Sequence, residues 1–397
     1  MLDFQQVRTQ IQEMGQSAPL REEKLRLLRE RANDLLDENA QCLDALRAKV
    51  QLAAQEIPTL RCARPAQEAL NAHLSVPALD PQAVVTIAAD GSQINPDRHA
   101  PVAYYLVNVG ALCLPAHSTA APTTWIQSRL AYGDEMYPGG RPISEGAVAL
   151  LRDVAERKAL SDLVAAQRMK AGAHVPIVTL TDGPLELWGA KGQEETSGGG
   201  FRQALQSYLD ALQALYTLNA VTAGYVDKPR ADLVIRLLEI ASTPAERLRD
   251  VAHERHFPGV SDWALFAHRL QPGERSAVFG LQSQSEQDYT ANLGLHFFYL
   301  NVGRAGKPWL ARVEIPRWVA ETPAFLDHLH AVLVHQAHLL GERAYPYLLH
   351  RAHEVAVVSR EEQEQLTNMI ILELRRQGVE IEGASHKQDI KDVARRA

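Results

Sequence analysis

Two aspartate–glycine pairs, each following a short β-branched run, constrain the fold of this chain more than any other feature. The run 84–89 leads into Asp90, the run 175–181 leads into Asp182, and glycine follows both aspartates. Short apolar runs bounded by turn residues are typical of buried strands. We expect each aspartate to end a strand, with the glycine allowing a turn and leaving space for a ligand. A plain Asx-turn at each pair is an equally good interpretation.

The segments around these runs predict an α/β fold. Strand-like runs at 102–109 and 124–130 follow the first aspartate, and a helix capped by Ser144 extends to about residue 170. The order is therefore three strands, a helix and a strand. A glycine-rich polar segment, 189–200, is predicted to be a surface insertion or a lid. Further helices and strands are predicted at 201–218, 221–226, 293–301, 309–315, 323–340 and 345–376.

The N-terminal region is predicted to be a helical arm. Apolar residues recur at three-and-four spacing over 20–57, which indicates one long amphipathic helix ended by Pro58. We assign residues 1–60 to this arm and residues 80–397 to the main domain. The apolar stripe fits packing on its own domain and dimerisation with a second copy equally well.

The charge balance excludes a broadly basic nucleic-acid-binding protein. The chain has 41 lysines and arginines against 48 aspartates and glutamates, a net charge of −7. Binding to DNA phosphates therefore requires a local basic patch, for which Lys228 and Arg230 are candidates beside the default of solubilising charges. Other basic residues that fit such a track are Arg236, Arg304, Lys307, Arg312 and Arg317. A phosphate-binding loop of the G-x-x-x-x-G-K-[ST] type is missing, which argues against ATP hydrolysis.

Cysteine usage and the N-terminus predict a soluble, cytoplasmic protein. Cys42, Cys62 and Cys113 are odd in number and lack C-x-x-C spacing, which argues against a disulfide framework and a cysteine-ligated zinc site. The N-terminus does not resemble a signal peptide. No apolar run approaches the roughly 20 residues of a membrane helix.

Two converging aspartates predict an oxygen-rich site for Mg²⁺ or Mn²⁺, the ions used in two-metal phosphodiester hydrolysis. A third acid is needed, and the helix after Ser144 offers several. Glu156 lies mid-helix beside the apolar stripe, although an i,i+4 ion pair with Arg152 explains it equally simply. Glu145 lies in the first turn, where an acid complements the helix dipole. The remaining acids of this helix are Asp153 and Asp162.

Six motifs in one order resemble the NurA-type DNA-repair nucleases, partners of the HerA hexameric translocase. They cover most of residues 80–360. The motifs are ADGSQI at 89–94, the R-x-x-x-E pair of Arg152 and Glu156, TDGPL at 181–185, the lysine of GYVDK at 224–228, RVEIPRW at 312–318 and YPYLLHRAHEVAVVS at 345–359.

The resemblance implies a fold, which the order of three strands, a helix and a strand also suggests. It is an RNase H-like mixed sheet flanked by helices. The implied cofactor is a pair of Mn²⁺ ions, with Mg²⁺ as a substitute. The implied activity is 5′ to 3′ exonuclease and single-strand endonuclease action on single-stranded and end-containing DNA. The implied setting is DNA end resection and double-strand break repair, by a homodimer bound to a HerA-type ATPase.

The resemblance also implies roles for individual residues. Asp90, Asp182, Glu156 and His353 correspond to the metal ligands, and Tyr345 to the tyrosine of the family. Three positions have alternatives, because Glu145 competes with Glu156 and the last motif contains two tyrosines and two histidines. The competing pair there is Tyr347 and His350.

Two rival functions fit the same sequence. One is a non-catalytic adaptor that guides DNA on a HerA-type motor, although the retained aspartates and His353 speak against it. The other is an RNase H-like nuclease that acts on RNA or in antiviral defence. Comparing cleavage of DNA and RNA separates the RNA-cutting variant from the DNA nuclease.

Overall fold

The computed structural model describes residues 2–97, 100–117, 119, 121–172, 174–188, 199–341 and 343–379. The helices are α1 Phe4–Glu38, α2 Leu43–Glu56, α3 Glu145–Ala171, α4 Gly199–Thr217, α5 Leu233–Ser242, α6 Asp262–Phe266, α7 Arg317–Ala320, α8 Pro323–His338, α9 Tyr347–Ala356 and α10 Arg360–Arg376. The strands are β1 Cys62–Pro65, β2 His73–Leu74, β3 Val85–Ile94, β4 Tyr104–Leu114, β5 Thr123–Tyr132, β6 Ile177–Asp182, β7 Val221–Asp227, β8 Arg275–Ser276, β9 Phe279–Gln282, β10 Leu295–Asn301 and β11 Leu310–Pro316.

The chain divides into two compact units. The first unit consists of Met1–Ala78 and Tyr225–His330, and the second of Leu79–Gly224 and Ala331–Ala397. Strand β7 begins in the second unit and ends in the first. The predicted assignment of 1–60 and 80–397 to an arm and a domain stays a prediction.

The second unit has the predicted RNase H-like fold. Strands β3, β4 and β5 form an antiparallel meander, and β6 lies parallel to β3 on the other side, with Ala88 opposite Leu180. The strand order is β7-β6-β3-β4-β5. A helix crosses from β5 to β6, and the next crosses from β6 to β7, which is the order of elements expected from the sequence. The prediction of a mixed sheet flanked by helices is confirmed.

The packing of this sheet follows from its strand order. Strand β4 lies between two others, and all its residues except the last are buried. Strand β5 lies at the edge, where most of its residues are exposed. Helices α3 and α9 both pack on β3 and β4. A central strand covered by helices is apolar along most of its length. Strand β3 is also central, which is why the run 84–89 was identifiable from the sequence.

The strands of the first unit pair antiparallel to one another in the order β1-β9-β10-β11. Strand β10 pairs with β11 from Leu295 opposite Pro316 to Asn301 opposite Leu310. The core beside it is aromatic. Phe266 stacks on Tyr299 at 5.0 Å between ring centroids, and Phe279 stacks on Phe297 at 5.7 Å.

The prediction of one long N-terminal helix was wrong. The structure has α1 and α2, and the chain breaks between them, where the side chain of Asn39 donates to the Leu35 carbonyl. The break contains no proline or glycine, and Asn39 is its only residue of a type that commonly follows the end of a helix. The last turns of α1 and the buried face of α2 pack on α5 of the first unit. The beginning of α1 exposes Phe4, Ile11, Met14 and Leu20.

Three smaller outcomes concern the other predicted segments. The block 345–376 is two helices, α9 and α10, and Ser359 begins the second with a capping box to Glu362. Most of the glycine-rich segment, 189–198, lies outside the described residues. Among helices of the described residues, none is both long and apolar enough to cross a membrane.

Candidate active site

Asp90 lies inside strand β3, so the predicted turn at this residue was wrong. The strand continues past it, because β4 pairs with β3 along its length and Gly110 lies opposite Asp90. Gly91 instead allows helix α3 to pack closely on strand β3. A Cβ there would lie 2.5 Å from Glu156 Oε1 and 2.6 Å from Arg152 Cγ. The glycine therefore allows helix α3 to approach the strand and brings its glutamate to the site.

Helix α9 is held on the other face of the sheet. Gly110 faces the same side as Asp90, and a Cβ on it would lie 2.6 Å from the backbone nitrogen of Ala356. The Ala356 carbonyl accepts hydrogen bonds from Ser92 Oγ at 2.5 Å and from Asn108 Nδ2 at 2.7 Å. These bonds satisfy a carbonyl left open at the helix C-terminus. They also fix α9 relative to β3, a role that the sequence did not reveal.

His353 on α9 contacts Asp90. Its Nδ1 lies 2.7 Å from Asp90 Oδ2, and Asp90 Oδ1 accepts a hydrogen bond from the Gly91 nitrogen at 2.8 Å. The histidine side chain is 62% exposed and the aspartate 14%. With Nδ1–H donating to the carboxylate, Nε2 is the acceptor that can bind a metal ion or a proton. The alternative from the sequence, His350, lies 3.5 Å from Glu354.

The register of β3 and β6 makes the two predicted aspartates neighbours. The strands are parallel, and Ala89 lies opposite Thr181, so Asp90 and Asp182 are the next residues on adjacent strands. Strand β6 ends at Asp182 as predicted, and the chain turns at Gly183, which has φ +86°. An L-residue rarely adopts this conformation, so here the glycine does provide a turn.

The electrostatics of Asp182 reflect this proximity. Burial is the largest influence and raises the pKa of Asp182, and the charge of Asp90 raises it further. The pKa is lowered by the hydroxyl of Tyr345, which donates to the carboxylate, and by the charge of His353. Tyr345 and His353 thus contact the two aspartates, one each.

Glu156 is the third carboxylate of this cluster. It lies in the middle of α3 and is 8% exposed. Burial, followed by the charges of Asp153 and Asp90, raises the pKa of Glu156 to about 8, although two arginines lower it. One of these, Arg152, places Nε 3.4 Å from Glu156 Oε1. The alternative acid, Glu145, is exposed in the first turn of the same helix.

Arg157 belongs to the site although no sequence feature singled it out. It is buried, and its Nη2 donates to Thr181 Oγ1 and to the Tyr208 hydroxyl, both at 3.0 Å. Tyr208 in turn donates to the Leu185 carbonyl at 2.9 Å. The buried guanidinium lowers the pKa of the neighbouring Glu156. An arginine on a helix is normally exposed, so its burial could not be predicted from spacing.

The predicted DNA-binding residues lie in the first unit. Lys228 and Arg230 line a cavity there, and the Lys228 ammonium lies 3.9 Å from the ring centroid of Trp309. The wider basic track was partly wrong, because Arg236 and Arg312 are engaged with buried glutamates. Those two arginines stabilise the unit and are not available to phosphates.

The donor set can be compared with the needs of a divalent ion. Among the described residues, no three histidine, cysteine or acidic side chains are already arranged to hold a metal. Asp90 is turned toward His353 instead. The chemistry of the set still fits, because clustered carboxylates with raised pKa values and one imidazole are ligands for Mn²⁺ or Mg²⁺. A divalent charge would offset the repulsion among them.

The family of this chain is identified by a match to a protein-family model. The NurA domain model matches residues 84–358. The chain belongs to the NurA family. Membership of the NurA family supports a nuclease, and the matched residues include Asp90, Glu156, Asp182, Tyr345 and His353. None of the curated proteins matches this chain significantly.

Two solved structures are similar to the chain. The NurA nuclease from Sulfolobus solfataricus has 12% sequence identity and a TM-score of 0.43, over 86% of this chain and 97% of that one. The catalytic domain of human Endonuclease V has 15% identity and a TM-score of 0.32, over 83% of this chain and 98% of that one. The family assignment rests on the domain model and not on these two likenesses.

Proposed function

We propose that this chain is a metal-dependent deoxyribonuclease that hydrolyses phosphodiester bonds. One observation carries the proposal: Asp90 and Asp182 are neighbours on parallel strands, and Glu156 and His353 come to them from two helices. Structural ion pairs alone do not explain this cluster, because the charge of Asp90 raises the pKa of both Glu156 and Asp182. Membership of the NurA family supports a nuclease.

Four residues would hold two Mn²⁺ ions, or Mg²⁺ in their place. Asp90 and Asp182 would supply carboxylate oxygens, Glu156 would bind from α3, and His353 would bind through Nε2. When bound, such a pair of ions activates a water for in-line attack and stabilises the departing 3′ oxygen.

The protein's own contribution is to orient and neutralise these ligands. The Nδ1–H of His353 donates to Asp90 and so fixes the ring with Nε2 outward. Tyr345 donates to Asp182 and restricts the rotation of that carboxylate. Arg152 supplies positive charge beside Glu156, and its Nη2 also donates to Asp153 Oδ1 at 2.7 Å.

The more specific activity and the partner are proposed from the resemblance to the NurA family. We propose single-strand endonuclease and 5′ to 3′ exonuclease activity on single-stranded DNA and DNA ends, in end resection during double-strand break repair in the cytoplasm. The partner would be a HerA-type hexameric ATPase, and the active form a homodimer. A monomeric mass in light scattering at working concentration would contradict the dimer.

The first experiment is cleavage of 5′- and 3′-labelled single-stranded DNA with Mn²⁺, Mg²⁺ or EDTA. We expect cutting that needs a divalent ion and is lost in Asp90→Asn and Asp182→Asn. Asp162→Asn, an exposed aspartate on α3, is the matched control and keeps its activity. Cleavage that persists in both active-site variants, or that survives EDTA, would refute the two-metal proposal. A silent wild type would favour the adaptor function instead.

A further inference from the structure

The first unit contains a cavity of about 460 Å³ that combines aromatic and basic side chains. Its size lies within the range of small-molecule sites. Its principal lining residues are Trp263, Trp309, Pro229, Pro308, Lys228 and Arg230. Tryptophans and prolines give flat apolar walls, and the lysine and arginine add positive charge at the same place.

Trp309 is held in a fixed position by two neighbours. Its Nε1 donates to Asp227 Oδ1 at 2.7 Å, and the Lys228 ammonium lies 3.9 Å from the ring centroid. The contact with the ring also keeps the ammonium beside the aromatic wall. The second tryptophan, Trp263, is exposed at its position after the start of α6.

The two cations of the cavity lie at the surface, with the Trp309 ring beside Lys228. Lys228 and Arg230 are exposed, and neither forms an ion pair or hydrogen bond within the described part of the chain. Lys228 also has φ +44° and precedes Pro229. An L-residue rarely adopts this left-handed conformation, and such strain is common at binding sites. Lys228 and Arg230 therefore carry positive charge without a carboxylate partner in the described part of the chain, and two indoles lie beside them. This combination fits an anionic ligand with flat rings.

We propose that this cavity binds single-stranded DNA, with one base stacked on the tryptophans and adjacent phosphates on Lys228 and Arg230. The proposal rests on the proposed function, which supplies DNA as the substrate class. Aromatic side chains beside basic ones are the usual platform for single strands, because every base has a face that stacks. Bases within a duplex are already stacked on one another, so a duplex fits the cavity poorly.

The stacking is tested by anisotropy of a fluorescein-labelled oligothymidylate in EDTA, with Trp309→Leu and Trp309→Phe. We expect Trp309→Leu to bind roughly 5- to 50-fold more weakly, and Trp309→Phe to stay within about threefold of wild type, since phenylalanine still stacks. Trp263→Leu, which breaks no hydrogen bond of Trp309, is the second variant. Wild-type affinity in both leucine variants would overturn the proposal, as would equal affinity for a duplex of the same length.

The phosphate contacts are tested by salt dependence. Lys228→Gln and Arg230→Gln should each reduce the slope of log K against log salt by about 0.7, the value for one contact to a single strand. The tryptophan variants should leave the slope unchanged. Arg247→Gln removes an exposed arginine of the same unit that is already paired with Asp250, and should change neither slope nor affinity. Unchanged slopes in both cation variants would refute the phosphate contacts.

The design separates this proposal from the nuclease proposal. Binding is measured without a divalent ion, so it does not depend on cutting. Asp90→Asn and Asp182→Asn should bind the oligonucleotide as wild type does while they fail to cut it. Loss of binding in the tryptophan variants with normal binding in the aspartate variants supports the cavity, whether or not the chain proves to be a nuclease.

Discussion

Buried carboxylates occur in both units, and their surroundings differ. In the first unit Asp262, which is 0% exposed, accepts hydrogen bonds from the backbone nitrogens of Val234 and Ile235 and from the Tyr299 hydroxyl at 2.6 Å. It thereby caps the start of helix α5 from a distant position in the chain. In the second unit Glu156 has an arginine at 3.4 Å and, near it, other carboxylates.

A second pair of residues repeats the contrast. Glu239 in the first unit pairs with Arg236 at 2.5 Å and with Arg255 at 3.2 Å, and also accepts from the Phe257 nitrogen. Asp182 in the second unit has a tyrosine as its side-chain donor and another aspartate beside it. Carboxylates surrounded by donors stabilise a fold, whereas carboxylates that repel one another are kept for a ligand that neutralises them.

The comparison is tested most strongly by Glu156→Gln. We expect the rate of DNA cleavage to fall by about 10³-fold, because the variant loses a charge that would help to hold the catalytic ions. The thermal midpoint should not fall, since glutamine fills the same space without the repulsion. Rates at saturating Mn²⁺ and a melting curve measure both quantities. A variant that unfolds at lower temperature and cuts normally would make Glu156 a structural residue like Asp262.

Asp262→Ala should have the opposite pattern. It leaves two backbone nitrogens and the Tyr299 hydroxyl buried without an acceptor, so we expect a loss of about 3–5 kcal/mol in the free energy of unfolding. The cleavage rate per folded molecule should stay at the wild-type value. Urea unfolding with an active-site titration gives both numbers, and Asp250→Ala, an exposed acid of the same unit, is the control. A stable but inactive Asp262→Ala would remove the distinction between the units.

The sequence was sufficient for the strands of the site but not for the packing between them. The runs before Asp90 and Asp182 predicted two strands, because both runs are short and apolar and each leads to an aspartate followed by glycine. The two glycines look identical in sequence, yet Gly183 turns the chain and Gly91 admits helix α3. The difference arises from pairing with β4, which continues β3 past Asp90, and such long-range contacts leave no local pattern.

The buried charges were the least predictable part. Arg157, Asp262 and Glu239 occupy positions where a charged residue is normally exposed. Most of their partners lie far away in the chain, as for Asp262 and Val234, and only Glu239 also has a near partner, Arg236, so spacing reveals little of these contacts. At Glu156 and His353 the prediction came from the family resemblance. Their motifs were recognisable by their order along the chain, although each residue alone has an ordinary structural explanation.

The stability of the metal-free protein should depend on pH through Glu156. Its pKa is raised from 4.5 to about 8, so between these values the folded state keeps a proton that the unfolded chain has released. Stability therefore falls as pH rises through this window. Other buried groups also contribute, since the pKa of Asp262 is raised from 3.8 to about 6 and that of His296 is lowered from 6.5 to about 4, so a variant is needed to isolate Glu156.

Glu156→Gln removes this dependence, because glutamine does not ionise. Above pH 8 the variant should exceed the wild type in stability by up to about 5 kcal/mol, because the two pKa values differ by about 3.5 and each pKa unit corresponds to about 1.4 kcal/mol, and the two proteins should agree below pH 4.5. Urea midpoints in EDTA from pH 5 to 9 measure the difference. Adding Mn²⁺ at pH 9 should stabilise the wild type more than the variant. Parallel pH profiles of the two proteins would show that Glu156 ionises normally in the fold.

The smallest effect is expected at Gly91, which lies at the contact between α3 and β3 and beside the Glu156 carboxylate. In Gly91→Ala the new methyl group would lie 2.5 Å from Glu156 Oε1, so the glutamate must move and α3 must shift slightly. We expect a loss of about 1–2 kcal/mol in stability and roughly a tenfold slower cleavage, because the ligand leaves its position. Gly146→Ala, in helix α3, is the matched control, since a methyl group there meets only Ser144 Oγ at 3.9 Å. That variant should be stabilised by up to about 1 kcal/mol through helix propensity and should cut normally. If Gly91→Ala instead kept full activity and stability, the close approach of α3 to β3 would not be what brings Glu156 to the aspartates.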